Sequence, residues 1–241
     1  MAKDTAKKTA MLRKIMFGVM SIGLGAALGA YAMMDYAGSR AYAAQAVNEA
    51  RSVADMAENF GTWASKYKGI WIKNDQLAAQ GADPGSFIDT QRYQKMLQAD
   101  GASHTQFDIY HRKNPALVQR ELADISQQSN ARGKFRLTSE KYMNPMNAPD
   151  GFDLKAIRAL EQSAKKEYFE FSPDELRYAR RVEAKESCLS CHGTPEAAPK
   201  TIAMMYPGPQ GYGYVKGGLA GIISVRLPYD YDRKVVLEAL N

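Results

Sequence analysis

The only two cysteines of the 241-residue chain, Cys188 and Cys191, are separated by two residues and followed directly by His192. In the arrangement Cys-x-x-Cys-His, the two thiols can form thioethers with the vinyl groups of one haem while the adjacent imidazole binds the iron. This chemistry uses each of the three side chains once. The spacing therefore predicts one covalently attached haem c, with His192 as the proximal iron ligand.

Two other kinds of site also use closely spaced cysteines. A structural zinc site needs four ligands, usually from two such pairs; the chain has no second pair, and His104 and His111, which would have to complete the site, match no common zinc spacing. A thioredoxin-like redox pair is expected at a helix start after a buried strand. Gly193 and Pro195 follow the motif instead and are typical of a loop, so haem attachment is the favoured interpretation.

The N-terminal region has the pattern of a membrane anchor. Residues 15–34 carry no charge, and a run of about 20 apolar residues is enough to cross the core of a bilayer. An excess of Lys and Arg marks the cytoplasmic side of such a span. The sequence therefore predicts a cytoplasmic basic tail (1–14), a transmembrane anchor (15–34) and an exported domain (35–241). The charged residues before the span are Lys3, Asp4, Lys7, Lys8, Arg13 and Lys14.

A cleaved signal peptide is the alternative interpretation of this region, because Ala30-Tyr31-Ala32 has the small-x-small form of a cleavage site. Signal-peptide cores are usually about 7–15 residues long, and the longer apolar run favours a retained anchor. Thioether attachment of haem takes place on the outer side of the bacterial cytoplasmic membrane. We therefore expect a single-pass protein of the bacterial inner membrane, with the bilayer as a partner and the haem domain in the periplasm.

The charge distribution argues against nucleic-acid binding. The net charge is +6 (32 Lys and Arg minus 26 Asp and Glu), and the N-terminal tail supplies +4 of it (five cations minus one acid), which leaves +2 for the rest. Basicity of this kind belongs to membrane topology. The sequence also contains no paired carboxylates, phosphate-binding glycine loop or Ser/His/Asp set typical of a hydrolase or kinase. We expect no nucleic-acid partner and no enzymatic activity.

The exported region is long enough for one domain and predicts helices mixed with short antiparallel strands, without βαβ alternation. This combination is typical of the α+β class. Helical periodicity or composition predicts helices over 39–64 (continuing from the span), 87–99, 115–127, 153–166 and 232–240. Alternation or turn signals predict strands over 105–111, 134–139, 167–172, 176–184 and 219–229. Residues 73–86 and 207–218 are rich in polar residues, Gly or Pro and predict loops.

Five stretches occur in the order of a known family: "WASKYKGIWI" (63–72), "KNPALVQREL" (113–122), "FRLTSEKYMNPMNAPDGFD" (135–153), "SCLSCHGTPEAAP" (187–199) and "GYGYVKGGLAGIISVRLP" (211–228). The chain thereby resembles the membrane-anchored, PAS-like c-type haem domains of bacteria and cyanobacteria. These domains occur alone or at the sensory end of histidine kinases and other receptors. The resemblance implies a PAS-like antiparallel sheet, a long N-terminal helix and one covalent haem.

The sequence does not decide between the candidates for the sixth iron ligand. Some relatives use a third cysteine there, which this chain lacks. A methionine raises the reduction potential, a second histidine lowers it, and a vacant or water-filled position admits NO, CO or O₂. Core packing is an equally ordinary use for a methionine, and a histidine can be structural. The candidates are His104, His111, Met143, Met146, Met204 and Met205.

Two further features have both a functional and a structural interpretation. Tyr206, Tyr212 and Tyr214 bracket the glycine-rich loop and either stack on the haem edge or pin the loop. In the span, Ser21, Gly25 and Gly29 recur every four residues, a pattern typical of packed membrane helices. This helix face predicts a homodimer or docking to another membrane protein.

Two functions follow from these observations. The first is electron transfer by a membrane-anchored periplasmic monohaem c-type cytochrome, or an accessory redox subunit of a membrane complex. The second is a haem-based redox or gas sensor. Many relatives carry a signalling module behind the domain, and because this sequence ends at Asn241, we expect such a sensor to signal through a separate protein.

Overall fold

The protein is described by a computed structural model, which covers the backbone of residues 2–73, 89–99 and 102–230 and the side chains of 7–73, 109–204 and 206–230. The helices are α1 (Ala2–Lys66), α2 (Pro115–Gln128), α3 (Gly151–Glu161), α4 (Glu186–His192) and α5 (Lys200–Met205), with a 3-10 turn at Pro145–Asn147. The strands are β1 (Ile70–Lys73), β2 (Asp89–Ala99), β3 (Ala102–Lys113), β4 (Lys134–Thr138), β5 (Glu167–Phe171), β6 (Glu175–Glu183) and β7 (Leu219–Pro228).

The strands form two antiparallel sheets, one of three strands in the order β1-β3-β2 and one of four in the order β4-β7-β6-β5. Antiparallel sheets together with the long N-terminal helix confirm the predicted α+β class. In the larger sheet Phe135, Val225 and Tyr178 are paired across β4, β7 and β6. Paired residues share one face, and their neighbours along each strand point to the other. The four-stranded sheet therefore has two faces to cover.

Helix α3 covers one face of the four-stranded sheet. Its residues Ala156, Ile157 and Leu160 are buried in one cluster with Ala179 of β6 and Ile222 of β7. Burying a side chain such as Leu or Ile stabilises a fold by roughly 1.5–3 kcal/mol. This cluster therefore holds α3 firmly on the two central strands.

The C-terminal part of α1 contacts side chains of the opposite face. Arg51 donates to both carboxylate oxygens of Glu167 on β5, at 3.0 and 2.5 Å, and Arg180 on β6 donates to Asp55 at 2.7 Å. The hydrogen bond from Arg51 is the largest effect on the pKa of Glu167, which is lowered. Tyr178 donates to Glu167 at 2.9 Å, and burial raises the pKa of Tyr178 to about 12. At neutral pH Glu167 is therefore ionised and Tyr178 keeps its proton, so the hydrogen bonds that Glu167 accepts from Arg51 and Tyr178 persist.

Small residues at alternating spacings of three and four line the buried stripe of α1. One of them, Gly61, lies so close to α2 that a Cβ atom there would come within 2.0 Å of the Gln119 side chain. The same Gln119 amide donates to the carbonyl of Ala57 at 2.8 Å. The predicted helix over 39–64 is thus confirmed, with its small residues letting α2 approach the helix backbone. The stripe comprises Val47, Ala50, Ala54, Ala57, Gly61 and Ala64.

Helix α1 contains an uncharged apolar stretch over residues 15–34. Contacts assign the described residues up to Ala46 and those of Val47–Tyr229 to two separate units. Between Lys7 and Lys66 the helix contains an 18-residue window with a mean hydropathy of 1.7 and none of its residues buried. It is therefore long and apolar enough to cross a membrane, although a signal sequence near an N-terminus passes the same test.

The predicted helix over 87–99 is wrong, because residues 89–99 form β2. All eleven of these residues pair with β3, from Asp89 opposite Arg112 to Ala99 opposite Ala102. Gln, Lys, Met and Leu in this segment favour helix, but the ladder with β3 satisfies the strand's backbone groups. The sequence Asp100-Gly101 between the two strands is a strong signal for a hairpin and was the better guide.

Other boundaries differ in smaller ways. Strands 105–111, 134–139, 167–172, 176–184 and 219–229 and helix 115–127 are confirmed, with ends shifted by one to three residues. Helix α3 begins at Gly151 rather than 153, because Asp150 and Asp153 form a capping box, and it ends at Glu161 rather than 166. Strand β1 and helices α4 and α5 were not predicted; the cysteine motif itself is helical and follows β6, and the loop begins only at Gly193. The predicted helix 232–240 and most of the predicted loop 73–86 lie outside the described residues.

A buried carboxylate joins α3 to three strands of the larger sheet. Asp153 has no exposed surface and accepts hydrogen bonds from Ser224 at 2.6 Å, from Arg177 at 3.3 Å and from Arg136. The backbone amide of Asp150 donates to it as well, at 3.1 Å. A buried charge is stable only when it is paired and hydrogen-bonded, and these donors come from β7, β6 and β4.

Replacing Asp153 by Ala should destabilise the protein strongly, because it leaves the partly buried Arg177 without one of its carboxylate partners. We expect the free energy of unfolding to fall by about 3–5 kcal/mol. The matched control is Asp55→Ala, which removes an exposed carboxylate from Arg180 and should cost about 0–1 kcal/mol. Urea unfolding of the two variants measures both, and equal losses would contradict the assignment.

Acid should weaken the same region through Asp150. Burial acts to raise the pKa of Asp150, but hydrogen bonds from the Asp153 amide, Arg177 and Arg226 outweigh it and hold this pKa well below its ordinary value of 3.8. Such a group stabilises the fold above the unfolded-state pKa and loses that contribution as the pH falls through the folded-state pKa. Unfolding free energy measured against pH should therefore drop below about pH 4. The variant Asp150→Asn should be less stable at neutral pH and show a shallower drop; an equally steep one would rule Asp150 out.

Candidate functional site

The Cys-x-x-Cys-His motif forms the short helix α4. Cys188 and Cys191 are free and partly exposed, and residues three apart are neighbours on a helix surface, so the two thiols lie on one side. The helix ends where the amide of Gly193 donates to the carbonyl of Leu189 at 2.9 Å. A Cβ atom at Gly193 would come within 2.6 Å of that carbonyl oxygen. The glycine therefore permits the sharp exit directly behind His192.

The imidazole of His192 is held by one backbone carbonyl. Its Nδ1 lies 2.7 Å from the oxygen of Gly211. A carbonyl oxygen only accepts hydrogen bonds, so Nδ1 must carry the proton. In the neutral ring Nε2 then has an unprotonated lone pair, which is the form that binds metals. The contact with Gly211 thus selects the tautomer that the motif chemistry requires.

The glycine-rich loop runs alongside the end of the motif. The amide of Gly213 donates to the carbonyl of Gly193 at 2.7 Å, and the amide of Tyr214 donates to that of His192 at 3.1 Å. Gly211 and Gly213 have positive φ angles of 90° and 77°, a region that favours glycine. The alternation Gly-Tyr-Gly-Tyr is the sequence signal for this loop geometry.

Tyr214 links the motif to the end of β4. Its ring lies edge-on to His192, with 5.2 Å between centroids and 81° between planes. Its hydroxyl lies 2.9 Å from the Ser139 hydroxyl and donates to the carbonyl of Lys141 at 3.1 Å. Burial raises the pKa of Tyr214, so this hydroxyl keeps its proton at neutral pH. Sequence reasoning did not identify Ser139 or the Gly211 carbonyl, since both contacts depend on distant segments.

The second cysteine of the motif packs in an apolar cluster. Cys191, Met143 and Tyr206 lie against the buried side chains of Leu117 and Ile202, so α2 and α5 both contribute to the surroundings of the motif. A cavity of about 360 Å³ adjoins the cluster through Met143 and Tyr206. Its lining consists of Tyr142, Met143, Pro145, Tyr206, Pro207, Gly208, Pro209 and Gln210.

The candidates for the sixth iron ligand differ in their burial and in their position in the fold. Met143 is partly buried and packs in the cluster of Cys191, whereas Met146 and Met204 are 77% and 82% exposed. His111 lies on β3 in the three-stranded sheet, opposite Ile72 and Thr90. The side chains of His104 and Met205 lie outside the described set. Of the predicted tyrosines, Tyr206 and Tyr214 contact the motif or its cluster, and Tyr212 is partly exposed.

Protein ligands alone do not form a metal site in the described region. Among side chains 7–73, 109–204 and 206–230, no three His, Cys, Asp or Glu are grouped closely enough to hold a metal ion. The side chain of His104, one of the two histidines that a zinc site would need, lies outside these described side chains.

A comparison with known families identifies the chain. The family model described as Tll0287-like, Tll0287, matches residues 36–228, which is 193 of the 241 residues (36 to 228 inclusive). The chain belongs to the Tll0287-like family. The matched range contains all five stretches that predicted a family resemblance and the whole candidate site.

Comparison with individual proteins adds one relative of this family. The crystal structure of the cyanobacterial heme-protein Tll0287 is similar to the chain, with 27% sequence identity and a TM-score of 0.44. The similarity covers 48% of this chain and 73% of that one. No functionally curated protein matches the chain.

Replacing Gly211 by Ala should destabilise the protein more than the same change at Gly208 or Gly213. A Cβ atom there would lie 2.6 Å from Cβ of Met143, and the positive φ adds strain, so we expect a loss of about 2–5 kcal/mol in unfolding free energy. Gly213→Ala has the strain without the contact and should cost about 1–2 kcal/mol. Gly208→Ala has neither and should be near neutral. Urea unfolding that gives the three variants equal stability would contradict the packing of Gly211 on Met143.

Proposed function

We propose that the chain is a membrane-anchored, periplasmic monohaem c-type cytochrome that acts in electron transfer or as an accessory redox subunit of a membrane complex. The observation that carries this proposal is the 2.7 Å contact between Nδ1 of His192 and the carbonyl oxygen of Gly211. Because that oxygen only accepts, the contact puts the proton on Nδ1 and leaves Nε2 with a free lone pair. Two free cysteines precede His192 on one side of the same helix. Membership in the Tll0287-like family agrees with the proposal, since Tll0287 is described as a heme-protein.

The residues at the site fit a covalent haem. Cys188 and Cys191 would form the two thioethers, and Nε2 of His192 would bind the iron. The apolar cluster beside Cys191 provides the kind of dry environment that tunes a haem. When bound, the haem supplies a one-electron Fe(III)/Fe(II) couple. The protein's own contribution would be to hold the two thioether-forming cysteines and the iron-binding histidine, and we propose that Tyr206, Tyr212 and Tyr214 pack beside the haem.

The proposed architecture combines a PAS-like haem domain over 35–241 with the anchor over 15–34 and a cytoplasmic tail over 1–14. Support for the anchor comes from the exposed apolar stretch of α1 and from the cations that precede it. The helix face of Ser21, Gly25 and Gly29 is the proposed contact with a second copy or another membrane protein. Small residues repeated at this spacing let the backbones of two membrane helices approach closely.

A second candidate function is a haem-based redox or gas sensor that signals through a partner protein. The observation that favours it is the cavity of about 360 Å³ that shares Met143 and Tyr206 with the cluster around Cys191. Such a space beside the site would admit a small ligand such as NO, CO or O₂. Sensing requires in addition that the ligand favour one of two conformations, because equal affinity for both shifts nothing.

Covalent haem attachment should depend on both cysteines. In a host that matures c-type cytochromes, the wild-type chain should keep its colour through acid–acetone extraction and give a pyridine haemochrome spectrum of haem c. Cys188→Ala with Cys191→Ala should lose covalent haem, and His192→Ala should retain the thioethers but change the Soret band. Ser187→Ala, which alters a motif neighbour without a predicted role, is the control. Extractable colour in the wild type would refute the proposal.

Carbon monoxide binding should separate the two functions. An electron carrier keeps a strong protein ligand in both oxidation states, which limits rearrangement when the electron moves. We therefore expect a six-coordinate, low-spin spectrum and no rapid CO binding by the ferrous protein at micromolar gas. Single replacements by Ala at the candidate ligands should then reveal the sixth one by opening the site to CO. Rapid CO binding by the wild type would favour the sensor. The positions are His104, His111, Met143, Met146, Met204 and Met205.

A further inference from the structure

The ring of His192 is constrained by residues that lie outside the Cys-x-x-Cys-His motif. We propose that Tyr214 is a positioning residue for the iron ligand: it fixes the plane and tautomer of the His192 imidazole and thereby sets the reduction potential of the site. This inference rests on the proposed haem function and concerns Tyr214, a residue that would act through His192.

The position of Tyr214 is determined at both ends of its side chain. At the backbone end its amide donates to the carbonyl of His192 at 3.1 Å, and the amide of Gly213 donates to Gly193 at 2.7 Å. At the other end the hydroxyl meets the Ser139 hydroxyl at 2.9 Å and donates to Lys141 at 3.1 Å. A tyrosine held at both ends has little freedom to rotate.

The anchor of the hydroxyl is itself rigid. Ser139 follows directly after β4, which pairs with β7 inside the four-stranded sheet. Thr138, the last residue of β4, is buried and donates to the carbonyl of Asn147 at 2.8 Å. Lys141 adds a second tie to the loop, because its ammonium donates to the carbonyl of Gly213 at 3.3 Å. Tyr214 therefore connects the glycine-rich loop to the four-stranded sheet.

The edge-on contact restricts the imidazole. With 5.2 Å between ring centroids and 81° between planes, Tyr214 stands beside His192 and blocks rotation of the imidazole toward it. In the observed orientation Nδ1 reaches the carbonyl of Gly211 at 2.7 Å, and this hydrogen bond distinguishes the two ring flips that share the plane. A ring with two χ angles would otherwise sample several orientations. Tyr214 and Gly211 thus act together, one by contact and the other by hydrogen bonding.

The direction of the effect follows from ligand basicity. A hydrogen bond from the far nitrogen of a ligating histidine raises the basicity of the nitrogen that binds the metal. A more basic ligand favours the more highly charged ferric ion and so lowers the reduction potential. Loosening His192 from Gly211 should therefore raise the potential. Loss of roughly one net hydrogen bond corresponds to an about 2–10-fold change in the ferric–ferrous equilibrium.

The test uses the full haem-loaded chain in detergent, with the midpoint potential and the EPR g values of the ferric form as readouts. Tyr214→Leu should raise the potential by the equivalent of about 2–10-fold and shift the g values. Tyr214→Phe and Ser139→Ala keep the ring but remove hydroxyl contacts, and each should give a smaller shift in the same direction. Tyr67→Leu, the same change at an exposed tyrosine, should leave both readouts unchanged.

The outcomes distinguish this inference from the proposed function. A wild-type chain without covalent haem would refute the function itself. A haem-loaded wild type whose Tyr214→Leu, Tyr214→Phe and Ser139→Ala variants all keep its potential and g values would overturn only the role of Tyr214, even if their melting temperatures fell. If Tyr214→Leu does not accumulate, the other two variants decide in the same way.

Discussion

The framework around the candidate site depends on the buried carboxylate of Asp153. It has no exposed surface and receives hydrogen bonds from β4, β6 and β7 through Arg136, Arg177 and Ser224. An ionised group is stable in such a place only while every partner stays in position. Losing any of these strands would remove a hydrogen bond from the buried carboxylate, so Asp153 couples α3 to all three strands.

The candidate site is attached to this framework through β4 and β7. β4 ends one residue before Ser139, which holds the hydroxyl of Tyr214, and the glycine-rich loop leads into β7. Between these two anchors the loop presents its carbonyl at Gly211 to His192. The motif helix α4 is only seven residues long and has no side-chain hydrogen bond at its N-cap. Its geometry therefore depends on the loop and the sheet more than on the helix itself.

Several parts of the fold were predictable because their signals are local. Alternation over 219–229 and the run of alanines over 39–64 each predicted one element, and β7 and α1 bear them out. The segment 87–99 was misassigned as helix, since its composition suits either state and pairing with β3 decides between them. A short element such as α5 has too few residues for periodicity to show. The PAS-like arrangement rests on resemblance, and the described strands lie in two sheets.

The sequence by itself determined the chemistry available at the site. Cys188, Cys191 and His192 lie within five residues of the chain, so their spacing is set without any tertiary contact. Only the tertiary structure decided which nitrogen of His192 is free, because that depends on a carbonyl 19 residues away at Gly211. It also brought Met143 and Tyr206 to Cys191. Contacts between segments this far apart arise from strand pairing and burial, which no local pattern in the sequence records.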